Sequence, residues 1–476
     1  MADAPALVPT LTGDFAAVTE ADWRALVDKT LGETPFASLE KTTAEGLPIA
    51  PLYAPAARPA APPRPVPADR AWEVATLTAH PDPARANAEI LADLRGGAAA
   101  VTLRIDPAGK AGVAIGSAAG LARALDEVIL ELAPAGLDAG FLGPQAADWL
   151  SAAAKASPKA LLRFHLDPLS AYAEAGASPG PIEAHLISAA NAAARLAETY
   201  PLAQLFLASG RAVHEAGGGE ALEVAFAAAT AVAYAKALVR AGMPMEGAFA
   251  RITLGLAADA DYFLTIAKLR AARSVWARIA AACAAEPTAR IEARSSRRML
   301  TAKDAWTNMI RLTAAGFGAA VGGADTVMLG HFTDALGLPT EFARRQSRNA
   351  QLVLMEEAHI GRVADPAAGS GYVEALTDEI ARAAWAQFQA IEAAGGIVAA
   401  LSSGYIARQV AAANAARPAP KIVGVTAFPP AKDTPVEVEI AAAKPVEAPS
   451  ARLPGPDSAC EALRPMRIAE AFEVTP

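Results

Sequence analysis

The chain has 476 residues, of which 53% are hydrophobic and 19% charged, and its 42 basic and 50 acidic side chains give a net charge of −8. This composition is typical of a globular protein with one large core or two moderate ones. There is no basic run that could hold a phosphate backbone and no uncharged apolar stretch of about 18 residues. We therefore expect neither a nucleic-acid partner nor a membrane span.

The sequence carries no sign of export. Its first residues lack a basic stretch followed by an apolar one, so no secretory signal is predicted. The two cysteines, Cys283 and Cys460, lie far apart without the spacing of a disulfide framework or a zinc site. These features favour a cytoplasmic protein.

Residues 1–70 are predicted to form an arm outside the core. A short helix is expected over Asp22–Leu31, with Thr19 as its N-cap. The run Pro48–Pro67 is rich in proline, which fixes φ and lacks a backbone donor, so this run is predicted to be extended. A disordered linker is the alternative for the same run.

Residues 71–416 are predicted to form one domain, in which strands alternate with helices from Trp72 to about Glu357 and further helices follow. The expected strands are Glu73–Ala79, Ala99–Ile105, Ala139–Gly143, Ala160–Asp167, Ala203–Gly210, Ala250–Leu256, Arg290–Ser295 and Asp325–His331. The helices expected between them are Pro83–Leu94, Ala118–Leu132, Pro181–Glu198, Glu220–Ala241, Asp259–Ala282 and Thr301–Ala315. Eightfold alternation predicts an α/β protein with a (β/α)8 TIM barrel, and an open doubly wound sheet is the alternative.

Two further helices are expected after the barrel, Tyr372–Ala394 and Ile397–Ala416, the first ended by Gly395 and Gly396. Residues 417–476 are rich in proline, alanine, valine and lysine and show no periodicity. They are predicted to form a tail with one short apolar stretch, Arg467–Phe472.

Two local motifs and the histidines are candidates for binding sites. DPAAGSGY, residues 365–372, is similar to the glycine loop of adenine methyltransferases, but the Asn-Pro-Pro-aromatic tetrapeptide of those enzymes does not follow. Gly217, Gly218 and Gly219 precede a helix, so they either place an anion at its N-terminus or form a flexible turn. The histidines form no close pair on one helix face, which favours structural roles over metal binding.

The predicted strands place charged side chains inside the barrel. Period-two alternation directs Leu162, Phe164 and Leu166 toward the helices and the residues between them inward. The charged residues expected inside on this basis are Arg163, His165, Asp167, Arg251, Arg290, Glu292 and Arg294. Most barrels fill this space with aliphatic side chains, so this interior is either a polar channel or closed by paired charges.

Four segments of the chain resemble the methylmalonyl-CoA mutase family. They are TGDFAAVTEADWRALV (12–27), TIAKLRAARSVWARI (265–279), TAKDAWTNMIRLTAAGFGAAVGGAD (301–325) and FTDALGLPTEFARRQSRNAQLVLMEEAHIGRVADP (332–366). The resemblance implies an extended arm, a barrel threaded by the pantetheine of an acyl-CoA, and a flavodoxin-like domain carrying adenosylcobalamin. The reaction it implies is a radical rearrangement between (R)-methylmalonyl-CoA and succinyl-CoA.

The sequence departs from the active members of that family at the substrate positions. Where they have Ser-Gly-Tyr-His after the fifth strand, this chain has Arg211 and Ala212 in place of the tyrosine and histidine. A family histidine near the eighth strand aligns with Met328. The family's Tyr-x-x-Arg-Pro-Trp motif and the cobalt-binding DxHxxG motif are not found.

With these departures the chain resembles the small subunit of a heterodimeric methylmalonyl-CoA mutase. Such a subunit pairs with a large catalytic subunit that binds adenosylcobalamin. The chain itself is then expected to hold no catalytic residue, cofactor or metal and to stop before a cobalamin domain. One alternative is the substrate-binding subunit of an isobutyryl-CoA mutase-like enzyme whose cobalamin domain is a separate chain. Another is a non-catalytic binding module unrelated to the mutases.

Two structural expectations follow from the resemblance. The arm over Ala2–Pro67 is expected to lie on the large subunit, anchored by Phe15, Trp23, Leu26, Phe36 and Tyr53. The channel for pantetheine is expected to be plugged by charge pairing, with His165 nearby, among Arg163, Arg251, Arg290, Glu292 and Arg294.

Overall fold

The computed structural model describes residues 16, 18–56, 61–62 and 70–473. Eight parallel strands close into a barrel in chain order, which confirms the predicted (β/α)8 fold. The strands are β1 (Glu73–Thr78), β2 (Ala100–Arg104), β3 (Ala135–Asp138), β4 (Leu162–Leu166), β5 (Gln204–Ser209), β6 (Ile252–Ala258), β7 (Arg290–Ser295) and β8 (Thr326–Met328).

The predicted position of the third strand, Ala139–Gly143, is wrong. The strand ends at Asp138, and Gly140–Leu142 form a 3-10 turn. Gly140 has a φ of +51°, which extended backbone does not allow, and the helix that follows has a proline in its first turn. The apolar residues Phe141 and Leu142 of the predicted strand belong to this turn.

Helices surround the barrel and extend beyond it. Those before β5 are α1 (Glu20–Leu31), α2 (Pro83–Arg95), α3 (Ala118–Ala124), α4 (Gly143–Ala153), α5 (Pro168–Ala175) and α6 (Ile182–Thr199). Those after β5 are α7 (Arg211–Glu215), α8 (Glu220–Arg240), α9 (Met245–Ala250), α10 (Tyr262–Ala282), α11 (Asn308–Val321), α12 (Glu341–Leu352), α13 (Gly371–Ala393), α14 (Ile397–Ser402), α15 (Tyr405–Ala416) and α16 (Glu470–Glu473). The single helix predicted over Ile397–Ala416 is therefore two, because Gly404 adopts a φ of +70° between them.

Helix α8 forms the centre of the packing outside the strands. It contacts β5 and β6 on one side and α13 on another, and most of its residues are buried. Among the described residues it is the one helix long and apolar enough to cross a membrane, but 72% of that apolar window is buried inside the protein. Its apolar character is explained by this packing.

The arm divides into two parts. Helix α1 begins at the predicted cap Thr19, which forms a capping box with Asp22, and none of its residues is buried. The part that follows, over residues 41–56, folds onto this chain's own barrel. Leu47 packs against α10 and α13, and Tyr53 stacks on Tyr372 with ring centroids 5.3 Å apart.

The predicted tail makes a circuit of the barrel at the carboxyl ends of the strands. It contacts in turn the segments that follow β7, β8, β1, β2, β4, β5 and again β7. The hydrogen bonds that mark this path are Arg311 to the Val423 carbonyl, Glu439 N to Leu338 O, Lys444 to Asp82, Val446 N to Pro107 O, Leu463 N to Ala173 O, Met466 N to Glu215 O and Ile468 N to Arg298 O. Residues 417–473 therefore form a belt around the rim of the barrel.

Candidate functional site at the barrel interior and mouth

The amino-terminal end of the barrel interior is closed by a charge pair. Arg163 on β4 reaches across to β1 and donates a hydrogen bond to the Glu73 carboxylate. Thr326 on β8 donates to the same carboxylate at 2.8 Å. These bonds join three strands through side chains that point at the barrel axis.

The middle of the interior holds His165, Glu292 and Arg294. Glu292 accepts a hydrogen bond from Arg294 Nε at 2.7 Å, and its other oxygen lies 3.8 Å from His165 Nδ1. His165 has a φ of +45° at an irregularity in the pairing of β4 with β5. The irregularity lies on the same short strand as Arg163. The side chains of both Arg163 and His165 point into the barrel.

Burial and charge set the protonation of this layer. Burial lowers the pKa of His165 to about 4, so the imidazole is neutral near pH 7. Burial raises the pKa of Glu292, but the neighbouring positive charges, with that of Arg294 the largest, together outweigh burial and lower this pKa to about 2. The Glu292–Arg294 pair is therefore ionised and His165 adds no charge.

The mouth of the barrel, at the carboxyl ends of the strands, contains a second set of arginines. Arg104 Nη2 and Arg294 Nη1 donate to the Asp138 carboxylate at 3.2 and 3.0 Å. Burial opposes ionisation of Asp138, but the charges of Arg104, Arg294 and Arg211 hold the pKa of that carboxyl well below its usual range. Arg211 itself donates from Nε to Ser209 Oγ at 3.2 Å.

The structure brings together four of the six residues predicted for the plug and places two elsewhere. Arg163, His165, Glu292 and Arg294 lie inside the barrel. Arg251 precedes the first residue of β6 and donates to the Ala203 carbonyl at 3.2 Å, because the strand begins later than predicted.

Arg290 is the other residue that the structure places outside the plug. It is the first residue of β7, its side chain is exposed, and within the described residues it forms no ion pair. Asp167 also leaves the interior, because it lies beyond the end of β4 and caps α5. It accepts from the Tyr234 hydroxyl at 2.5 Å, and burial raises the pKa of its carboxyl to about 7.

The three residues expected at degenerate substrate positions lie after β5 and on β8. Arg211 begins α7 directly after β5 and is half-buried. Ala212 is buried beside it, and Met328 on β8 packs against Ala75 and Ala100 inside the barrel. Neither an alanine nor a methionine can transfer a proton, so these two positions offer no acid–base group.

A buried ionic cluster next to the mouth was not predicted from the sequence. His214, Glu220 and Glu223 place ligand atoms within 4.8 Å of one another, which is close enough to hold a metal ion. The ammonium of Lys268 already lies between the two carboxylates, at 2.5 Å from Glu220 and 2.6 Å from Glu223. Lys268 therefore supplies the cation of this cluster.

The charge of His214 follows from the same neighbours. Burial and the cations Arg298 and Lys268 favour the neutral imidazole, but the neighbouring carboxylates, Glu223 and Glu220 among them, raise the pKa of His214 to about 10. A glutamate pair at positions i and i+3 in the first turn of α8 was the signal in the sequence, but its partners come from distant segments.

The anion expected at the triple glycine is part of this chain. The carboxylate of Glu45, in the arm, accepts hydrogen bonds from the Ala221 backbone N–H at 3.1 Å, at the N-terminus of α8. Gly219 makes room for it, since a Cβ at this position would lie 2.1 Å from Glu45 Oε1. Gly219 therefore serves to dock the arm, whereas Gly217 and Gly218 lie against Asn414 and Val213.

The histidines do not fit the lower ligand of a cobalamin. His165 and His214 are enclosed in the ionic layers described above, and His80, His185 and His331 each have a hydrogen-bond partner, respectively Glu439, the Pro179 carbonyl and Asp334. His359 is exposed on a loop with a φ of +55°. Five of the six imidazoles are therefore engaged by groups of this chain and are not free to ligate cobalt.

Comparison with known proteins identifies the family. The profile described as methylmalonyl-CoA mutase matches residues 65–453. The chain belongs to the methylmalonyl-CoA mutase family. Over 470 residues it is 39% identical to the methylmalonyl-CoA mutase small subunit of Streptomyces virginiae, an alignment that covers 92% of this chain and 74% of the relative.

Two further relatives carry the same description. The probable methylmalonyl-CoA mutase small subunit of Mycobacterium tuberculosis (strain ATCC 25618 / H37Rv) is 39% identical over 81% of this chain and 65% of its own length. The small subunit of Propionibacterium freudenreichii subsp. shermanii is 35% identical over 87% of this chain and 69% of its own length. The chain thus matches about two thirds to three quarters of the length of these mutase small subunits.

Proposed function

We propose that this chain is the non-catalytic small subunit of a heterodimeric, adenosylcobalamin-dependent methylmalonyl-CoA mutase. Its partner is a large subunit that interconverts (R)-methylmalonyl-CoA and succinyl-CoA by radical rearrangement, in the cytoplasm. The observation that carries this proposal is the filled barrel interior. Arg163, Glu292 and Arg294 occupy, with their carboxylate and guanidinium partners, the axis along which the pantetheine arm of an acyl-CoA would have to pass.

The cofactor belongs to the partner in this proposal. The imidazoles of this chain do not fit a cobalt ligand, and Arg211 and Ala212 replace the tyrosine and histidine that the active family members place against substrate. A catalytic subunit of the isobutyryl-CoA mutase type would need those two side chains and an open channel. The structure therefore favours a supporting role over that alternative.

The partner interface is proposed to lie on the first part of the arm. Val18 and Leu26 are 76% and 64% exposed, and no residue of α1 is buried by this chain. Trp23 packs only edge-on against Phe36, with ring centroids 6.0 Å apart. An amphipathic segment with its apolar residues in solvent is a surface for a partner protein.

The second part of the arm, residues 41–56, contacts this chain's own barrel, so the predicted interface has to be corrected there. Glu45 and Leu47 attach residues 41–56 to this chain's own barrel, and Tyr53 packs on Tyr372. Tyr53 is thus an internal contact, whereas Trp23, Leu26 and Phe36 remain available to the large subunit. Phe15 lies outside the described residues.

The test is co-purification with a large subunit followed by a coupled assay of succinyl-CoA conversion. The full chain alone should retain no cobalamin absorbance after gel filtration and show no turnover, whereas the complex should show both. A chain that begins at Lys41 should stay folded but bind the large subunit at least about tenfold more weakly, because the free part of the arm is lost.

A matched pair of variants separates the two parts of the arm. Trp23→Ala should weaken assembly without changing the melting temperature of the isolated chain, and Tyr53→Ala should lower that temperature without a direct effect on affinity. Turnover or cobalamin retention by the isolated chain would contradict the non-catalytic role. Unchanged assembly of the chain that begins at Lys41 would contradict the assignment of the interface.

A further inference from the structure

Three guanidinium groups, those of Arg104, Arg211 and Arg294, lie at the mouth of the barrel, and two of them form hydrogen bonds with its carboxylates. Arg104 and Arg294 share Asp138, at 3.2 and 3.0 Å, and Arg294 also donates to Glu292 at 2.7 Å. These bonds use both acidic side chains of the layer on two arginines. Arg211 is the third cation, and its charge acts on both carboxylates without a hydrogen bond to either.

Arg211 has donors to spare. Nε bonds to Ser209 Oγ at 3.2 Å, and in the described parts of the chain no carboxylate lies within ion-pair distance of the guanidinium, including that of the nearby Glu174. Burial, and next the charge of Arg294, lower the pKa of Arg211. Two like charges brought together in a partly enclosed space are stabilised by an anion between them.

A second observation concerns Arg294, which shares the Asp138 carboxylate with Arg104. Arg294 is only 4% exposed, and its Nη2 is buried without a hydrogen-bond partner. A buried donor left unpaired is destabilising by about 1–3 kcal/mol, so such a group normally has a ligand or water. The other two nitrogens of Arg294 are already used by Glu292 and Asp138.

The mouth is also accessible. The belt formed by residues 417–473 follows the rim of the barrel, and the side chains of Arg104 and Asp138 at its centre each remain 31% exposed. Below them the axis is filled by Glu292, His165 and Arg163.

We propose that this mouth binds a small oxyanion, a carboxylate or a phosphate group, held chiefly by Arg211 together with Arg104. The planar fork of a guanidinium pairs with two oxygens of such a group at once. The filled axis below leaves room for a small anion and not for a long acyl-thioester chain. This site goes beyond the proposed function, because a non-catalytic subunit does not require a ligand.

The test uses the purified full chain without cobalamin or a large subunit, so its result is independent of the mutase assay. Sodium succinate and sodium phosphate are titrated separately by isothermal calorimetry at constant ionic strength set with sodium chloride. Saturable binding of either anion is expected, and the anion that binds identifies the group. Arg211→Gln should weaken that binding by at least about tenfold, since it removes the charge that forms the bidentate contact.

The control is the variant Arg240→Gln. Arg240 is exposed at the C-terminus of α8, and this variant should bind the anion with the affinity of the parent chain. Circular dichroism establishes that both variants are folded, which we expect because the described side-chain bond of Arg211 is only the one to Ser209. Equal affinity of the parent chain and Arg211→Gln would overturn the proposal. Absence of saturable binding of both anions by the folded parent chain would overturn it as well.

Discussion

Removal of the Glu292 carboxylate is expected to destabilise the barrel more than the loss of any surface ion pair. Glu292 is buried, donates nothing, and accepts from Arg294 at 2.7 Å. In Glu292→Ala the guanidinium loses this partner and stays enclosed. Breaking a buried pair by removing one member costs about 3–5 kcal/mol.

The lower end of that range applies here. Arg294 keeps its second bond, from Nη1 to Asp138 at 3.0 Å, so its charge is not left wholly uncompensated. We therefore expect Glu292→Ala to lower the free energy of unfolding by about 3 kcal/mol. The double variant Glu292→Leu, Arg294→Met should recover most of this loss, because it removes both charges and keeps the volume filled.

The assay is urea denaturation of the full chain at pH 7, followed by circular dichroism. Asp148→Ala is the control, because its pair with Arg195 at 2.5 Å is more than half exposed and such pairs contribute about 0–1 kcal/mol. A loss for Glu292→Ala no larger than that for Asp148→Ala would refute the idea that ionic pairing holds the interior closed. So would a double variant less stable than the single one.

Three further predictions concern neighbouring groups. In the folded state the pKa of His165 is lowered from 6.5 to about 4, so the unfolded chain binds a proton at a higher pH than the folded chain does. The free energy of unfolding should therefore fall as the pH drops from about 6.5 to about 4. In His165→Asn the denaturation midpoint should change less over that range. Lys268→Met should destabilise the chain by about 3–5 kcal/mol by leaving two buried carboxylates without their ammonium, and Zn²⁺ should raise the melting temperature of this variant more than that of the parent. Arg211→Tyr combined with Ala212→His should still give no heat of acyl-CoA binding in calorimetry, because the plug lies below these positions; a measurable heat would contradict the plug.

The fold could be predicted because its pattern repeats. Each strand and its helix read as one unit, and eight such units specify a barrel whatever the error at any one boundary. The errors at strand boundaries did, however, determine whether individual side chains were correctly placed inside the barrel. Arg251 and Arg290 were expected inside, but one precedes its strand and the other begins it, where side chains reach solvent or backbone instead of the axis.

The partners of the plug could not be predicted. Glu73 and Arg163 are 90 residues apart in sequence, and their contact follows from closure of the barrel. Period-two alternation gives the face on which a side chain lies, but says nothing about which strand lies opposite. Glu45 is a second example. The sequence indicated that an anion could lie at the N-terminus of α8, but not that a carboxylate of the arm would be this anion.

Three contacts inside the barrel join strands that are not neighbours in the sheet. Glu73 and Arg163 link β1 to β4, Asp138 and Arg294 link β3 to β7, and His165 approaches Glu292 between β4 and β7. An axial channel for a substrate requires short side chains on these same facing strands, so a barrel cannot carry both the cross-links and the channel. Filling the channel with ionised side chains also demands complete pairing, because an unmatched charge at the axis is destabilising. Arg211, which forms no ion pair within the described residues, lies at the mouth of the barrel, where an ion from solution can reach it.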